Sequence, residues 1–171
     1  VILGKEWSGK STLAYVSMAS EQAAGGIAIY ADIEKTGNKA FMKLLGVDLD
    51  SLITTDIPEI EKLFTALERN LTLISQTPRF KNKPVMIVVD SVSALQTDAE
   101  MEGGYENNMN IALGKAKMLG KALKKIIPFL TGANACLYFV NQVRDNLSGY
   151  GECVNPSTTK VKLKIPKDLI K

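Results

Sequence analysis

An α/β fold with a mostly parallel sheet flanked by helices is the architecture that this sequence predicts, and three observations predict it. Short apolar, β-branched runs alternate along the chain with longer stretches of helical periodicity. One of those runs, VMIVVD at 85–90, is unbroken by polar residues until its terminal Asp, as befits a strand covered on both faces. A glycine-bounded stretch, GKEWSGKST at 4–12, stands where the first run hands over to the first helical pattern.

In order, the strand-like runs are VIL at 1–3, GIAIYAD at 26–32, LITT at 52–55, VMIVVD at 85–90 and ACLYFVN at 135–141. Helical patterns fall between them at 11–24, 38–45, 58–76 and 107–131. The third opens with PEIEK, an acidic first turn that complements the positive end of a helix dipole. The fourth repeats Met109, Leu113, Ala116, Leu119, Leu123, Ile127 and Leu130 every three or four residues, which predicts its buried stripe. Its lysines, 115, 117, 121, 124 and 125, fall mostly elsewhere, and read as a solvated helix face or as a track for nucleic acid. The chain opens on Val1 inside a strand, so the domain is expected to be incomplete at both ends.

Composition narrows the function classes. With 171 residues, 46% hydrophobic and 23% charged, the chain can bury one substantial core as one domain or part of one. A net charge of +3 is too small to announce a nucleic-acid or membrane partner by itself. No apolar run is long enough to span a bilayer, so no membrane partner is expected. Cys136 and Cys153 make no disulfide framework, so a reducing, cytoplasmic setting is expected. Histidine is absent, which excludes histidine-based nucleophile activation and most zinc sites. Chemistry must rest on carboxylates, lysines, backbone amides and the amides of Asn or Gln.

The stretch at 4–12 fits G-x-x-x-x-G-K-[ST], with Gly4, Gly9, Lys10 and Ser11 in the fixed positions. Two glycines let the backbone fold back so that successive N–H groups face a polyphosphate. The following helix adds unpaired amides, Lys10 reaches the β and γ phosphates, and the Ser11 hydroxyl can ligate Mg2+. The alternative is a plain glycine-rich turn. A second carboxylate for the metal stands at Asp90, at the carboxyl end of the run 85–90, where ligands bind in open parallel sheets; alone, it would read as an Asp capping the next turn. IAIYADIE ends with Asp32 and Glu34, the latter either a base for an attacking water or a loop carboxylate. ACLYFVNQVR ends with Asn141 and Gln142, amides placed to sense a γ-phosphate or simply to bond a loop.

Taken together, GKEWSGKST, IYADIE, IVVDSVSALQTDAEMEGG and YFVNQVRDN resemble the bacterial and phage RecA recombinases along nearly all of residues 1–150. DSVSAL followed by AEMEGG and by NQVR separates that family from other P-loop families. The resemblance implies a RecA-like P-loop NTPase core with ATP and Mg2+ as ligands. Gly4, Lys5, Glu6, Trp7, Ser8, Gly9, Lys10, Ser11 and Thr12 then form the nucleotide cradle, and Ser11 and Asp90 hold the metal. It also implies that Glu34 is the catalytic carboxylate and that Gln142 couples the γ-phosphate to a DNA-binding loop. Glu102, Gly103, Gly104 and Tyr105 fall in the first DNA loop, and the chain enters the second after Arg144. Phe41 stands where the family stacks an aromatic on adenine, and Asn38 where an Asp commonly contacts the base. Trp7 replaces a small residue of the cradle, so its side chain must point away from the phosphates.

The family binds single-stranded DNA as a filament and pairs it with homologous duplex DNA, which implies a role in recombination and repair. Two alternatives stand beside that reading: a RecA-fold helicase or motor, from which the MEGGYENN loop separates this chain, and a nucleotide-dependent DNA-binding scaffold with little hydrolysis. Residues 1–152 are expected to form the ATPase core. From Cys153 on, the sequence departs from the family: NPSTT suits the second DNA loop, but KVKLKI follows where a glycine pair and an aromatic strand belong. Residues 153–171 therefore read as an intein start with Cys153 as splicing nucleophile, as a diverged loop, or as a truncated reading.

Overall fold

The computed structural model of the chain describes residues 1–102 and 109–143. The alternation of runs becomes five strands and five helices among these residues. In order they are β1 (Ile2–Gly4), α1 (Lys10–Ala23), β2 (Ile27–Asp32), α2 (Lys39–Leu44), β3 (Ile53–Thr55), α3 (Ile60–Gln76), β4 (Val85–Asp90), α4 (Asp98–Glu102), α5 (Met109–Gly132) and β5 (Ala135–Gln142). A 3-10 turn at Val92–Ala94 follows β4. The strands form one sheet in the order β1-β5-β4-β2-β3, and every pairing is parallel. The mostly parallel sheet read from the sequence is present.

Strand β4 lies in the middle and is buried at every residue, which explains its unbroken apolar run. Alternation of side chains divides the core in two. Ile29, Ala31, Val85, Ile87 and Val89 face α3 and α5, whereas Ala28, Tyr30, Met86 and Val88 pack with Ala14, Tyr15 and Met18 of α1 and Met42 of α2. Helix α3 buries Ile60, Leu63, Phe64, Leu67, Leu71 and Ile74 at three- and four-residue spacing. Each such side chain contributes on the order of 1.5–3 kcal/mol on burial.

The buried stripe of α5 is rotated from the one its periodicity suggested. Leu119 and Ile126 are buried, with Met118, Ala122, Leu123, Phe129 and Leu130 packed beside them. Leu113 is 51% exposed and Ile127 57% exposed. The helix packs against both the sheet and α3, so the choice between adjacent Ile126 and Ile127 depends on where those neighbours stand, which the repeat alone does not specify.

Helix α4 was not anticipated. Its start is a reciprocal cap: Thr97 N donates to Glu100 Oε2 (2.7 Å) and Glu100 N donates to Thr97 Oγ1 (3.1 Å). The signal was present as T-x-x-E in TDAE, too short a segment to show periodicity. Part of the predicted 107–131 helix, residues 107 and 108, lies outside the described residues.

Candidate nucleotide site

Strand register brings the candidate residues to one edge. Gly4 pairs with Gln142, Asp90 with Val140, and Asp32 with Asp90, so the carboxyl ends of β1, β5, β4 and β2 align. The chain leaving β1 turns back through residues 5–9, with Ser8 N donating to Lys5 O at 3.4 Å. Trp7 and Gly9 have φ of 61° and 81°, the left-handed region that glycine tolerates without cost. A Cβ on Gly4 would stand 2.4 Å from Ser8 Oγ and 3.5 Å from Lys10 Cδ, so a bare glycine lets the loop close here.

Helix α1 begins at once after Gly9 and has no side-chain cap, which leaves its first amides for an anion. Lys10 Nζ donates to Lys5 O at 2.6 Å, folding its ammonium back over the loop. Lys5, Glu6, Trp7 and Ser8 are exposed, and Thr12 is half-buried in the first turn. The Trp7 side chain is fully exposed. The loop is therefore lined by backbone amides, the Lys10 ammonium and the Ser11 hydroxyl, a donor set that fits a polyphosphate.

Ser11 Oγ donates to Asp90 Oδ2 at 2.7 Å, and Tyr30 Oη approaches the same oxygen at 3.5 Å. Asp90 is only 7% exposed. Burial pushes its carboxyl above the usual range, and the charges of Glu34 and Asp32 push the same way, against the bonds from Ser11 and Tyr30. An anion so placed is stabilised by a cation, and with the adjacent hydroxyl the pair fits Mg2+, which takes few protein ligands and shares its sphere with phosphates.

The two carboxylates of ADIE have different partners. Asp32 accepts from Thr36 N (3.2 Å) and Gly37 N (3.0 Å), so both of its oxygens shape the loop after β2. A Cβ on Gly37 would stand 2.6 Å from Asp32 Oδ2, which explains a glycine there. Glu34 Oε1 instead accepts from Ser91 Oγ and, at 3.5 Å, from Gln142 Nε2. Of the two, Glu34 is the one bonded to the residue after β4 and to the end of β5. Asn141 is buried and its Oδ1 accepts from Gln142 N at 2.9 Å, so of the neighbouring amides Gln142 is the one that reaches Glu34.

Asn38 caps α2, its Oδ1 accepting from Phe41 N at 3.0 Å. Phe41 is 36% exposed and meets Tyr15 edge-on, with ring centroids 6.3 Å apart, leaving aromatic surface beside the loop. Sequence reasoning missed Tyr30, Ser91 and Ser93, which bond the site's carboxylates and one another. The hydroxyls spaced by one residue in DSVS, directly after Asp90, were the available signal. Glu102 closes α4; Gly103, Gly104, Tyr105, Arg144 and Cys153 lie outside the described residues.

The sequence profile of the RecA N-terminal domain matches residues 1–164. The chain belongs to this family. Among similar proteins are Protein RecA of Mycoplasma pneumoniae, 36% identical over 154 residues, and Protein RecA of Chloroherpeton thalassium, 34% identical over 160. These matches cover 88% and 92% of the present chain and 43% and 41% of the relatives. Protein RecA of Tropheryma whipplei is 38% identical over 146 residues, 85% of this chain and 31% of its own length. The chain thus spans less than half the length of these curated relatives. Within the matched residues, the loop 4–12 meets Asp90 through Ser11, and Glu34 meets Gln142.

Proposed function

We propose that this RecA-family chain carries the ATP site of a DNA-dependent ATPase that binds single-stranded DNA, assembles into a helical filament, and pairs the bound strand with homologous duplex in recombination and repair. One observation supports the reading most: Glu34 is held between Ser91 after β4 and Gln142 at the end of β5, on the edge where Ser11 meets Asp90. A glycine-rich turn without a nucleotide would have no use for that convergence.

Bound Mg2+-ATP supplies the phosphoanhydride to be cleaved and the cation that neutralises its oxygens. Amides of residues 5–9 and of the first turn of α1 hold the phosphates, and the Lys10 ammonium moves from Lys5 O to them. Ser11 and Asp90 hold the metal. Phe41 offers its ring face to the base, with Asn38 at its edge. Glu34 accepts the proton of the attacking water, and Gln142 orients that carboxylate and signals its state along β5. DNA is met by Glu102, Gly103, Gly104, Tyr105 and Arg144, and the exposed Lys117, Lys121 and Lys124 of α5 add positive charge for its phosphates. A cytoplasmic setting, expected from the two cysteines that make no disulfide framework, belongs to the same proposal. Among the described residues no helix is long and apolar enough to cross a membrane.

The family match continues past Cys153 to residue 164, which supports NPSTT as the second DNA loop over a splice junction at Cys153. A peptide reading from SGYGE into CVNPSTT in the mature protein agrees with that reading; a peptide joining SGYGE to another sequence restores the splicing role of Cys153.

The test of the function is steady-state ATP hydrolysis by the full-length protein with and without single-stranded DNA. Turnover raised by the DNA is the expected result. ATP binding without turnover points instead to a scaffold, and translocation along DNA to a motor.

A further inference from the structure

We infer that Lys115 is a positioning residue that ties α5 to the carboxylate Glu34, so that DNA bound along α5 acts on the reacting centre through it. The inference rests on the ATPase reading above. Five lysines lie on α5, and their surroundings differ. Lys117, Lys121 and Lys124 are exposed, and Lys125 Nζ pairs with Glu68 Oε2 of α3 at 2.7 Å. Lys115 turns inward and donates from Nζ to the carbonyl of Ser93 at 3.0 Å. Burial pulls the affinity of its amine for a proton below that of an ordinary lysine, with Glu100 opposing, so the chain places a cation where hydration is poor. An anchor for α5 alone would be made more cheaply by an apolar side chain.

What lies beyond Ser93 gives the placement a use. Ser93 belongs to the 3-10 turn after β4, and its hydroxyl is paired with that of Ser91. Ser91 donates its single proton to Glu34, so Ser93 must be the donor to Ser91. The order is then fixed: Lys115 Nζ to Ser93 carbonyl, Ser93 hydroxyl to Ser91 hydroxyl, Ser91 hydroxyl to Glu34, with Gln142 on the same Glu34 oxygen. A shift of α5 moves the Ser93 carbonyl, and the turn carries the Ser91 donor with it. Glu34 is thereby held for the water or released from it by an element that makes no contact with nucleotide.

The test compares Lys115→Met, Lys115→Arg and Ser93→Ala in the full-length protein, with poly(dT) as the DNA and ATP hydrolysis as the readout. Lys115→Met is expected to lower the DNA-stimulated kcat about tenfold while the KM for ATP and the DNA-free rate stay within about twofold of wild type. Lys115→Arg, which keeps a donor, restores at least half of the stimulation. Ser93→Ala, which cuts the link from the turn to Ser91, is expected to lose the DNA stimulation whatever its effect on the DNA-free rate, and in the double variant with Lys115→Met the stimulation is no lower than in the poorer single variant, because both cut one chain. Full stimulation in Lys115→Met overturns the inference, as do a parallel fall of DNA-free turnover and ATP binding, or losses that multiply in the double variant. If Lys115→Met does not fold, Ser93→Ala carries the test, and wild-type stimulation in that variant overturns it. A wild-type protein with no DNA stimulation overturns the ATPase reading as well; normal wild-type stimulation with an unaffected Lys115→Met overturns this inference alone.

Discussion

Ser11 Oγ stands 2.7 Å from Asp90 Oδ2, joining the glycine-bounded loop and first turn of α1 to the central strand across 79 positions of sequence. The bond holds the first turn of α1 against the end of β4, and it gives a buried carboxylate one of its two hydroxyl donors.

Ser11→Ala removes that donor and leaves Asp90 less satisfied in a place poor in water. A stability loss of about 1–3 kcal/mol is expected in thermal or urea unfolding without nucleotide. Mg2+-dependent ATP affinity falls with it, and an unchanged melting curve together with an unchanged Mg2+ titration would contradict the arrangement.

Glu34→Gln and Asp32→Asn should separate. Glu34→Gln keeps ATP bound and slows turnover about 10²–10⁴-fold, since an amide can bond the water but cannot take its proton. Asp32→Asn weakens the acceptor for Thr36 N and Gly37 N, so its first effect is on the loop leading to Asn38 and Phe41, and thus on ATP affinity. Equal losses of kcat in both variants would mean the two carboxylates share one role.

Trp7 is the chain's only tryptophan and stands exposed on the phosphate loop, so its emission should change when the loop closes on ATP. Lys10→Ala is expected to weaken ATP binding at least about tenfold, because a charge facing the β and γ phosphates is lost. A fluorescence titration of this chain reads both, and identical titrations for the two proteins would remove Lys10 from the cradle.

Tyr15 and Tyr30 have hydroxyls 3.3 Å apart in the core beside Asp90, and burial raises both above the ordinary tyrosine range. The folded state therefore keeps their protons where the unfolded chain gives them up. Stability is complete below about pH 10 and falls above it, by about 1.4 kcal/mol per pH unit for each tyrosine held protonated. Tyr30→Phe should reduce the alkaline slope of unfolding free energy by about one such increment, measured by urea titration between about pH 9 and 11.

Much of the fold, and the candidate residues at 4–12 and Asp90, were legible in the sequence for a local reason. A phosphate loop needs its glycines, lysine and hydroxyl at fixed short spacing, and a strand buried on both faces must be apolar throughout, so 4–12 and 85–90 announce themselves. Asp90 follows because it ends such a strand. The remaining features depend on partners far away along the chain. Asp32 and Glu34 are two residues apart and chemically alike; the one that meets Ser91 and Gln142 is set by the register of β2 on β4 and β4 on β5. Ile126 rather than Ile127 is buried because α3 and the sheet together fix the rotation of α5. Lys115 among five lysines turns inward because the Ser93 carbonyl waits there, and no periodicity in the helix carries that information, since a side chain's role is settled by the group it meets.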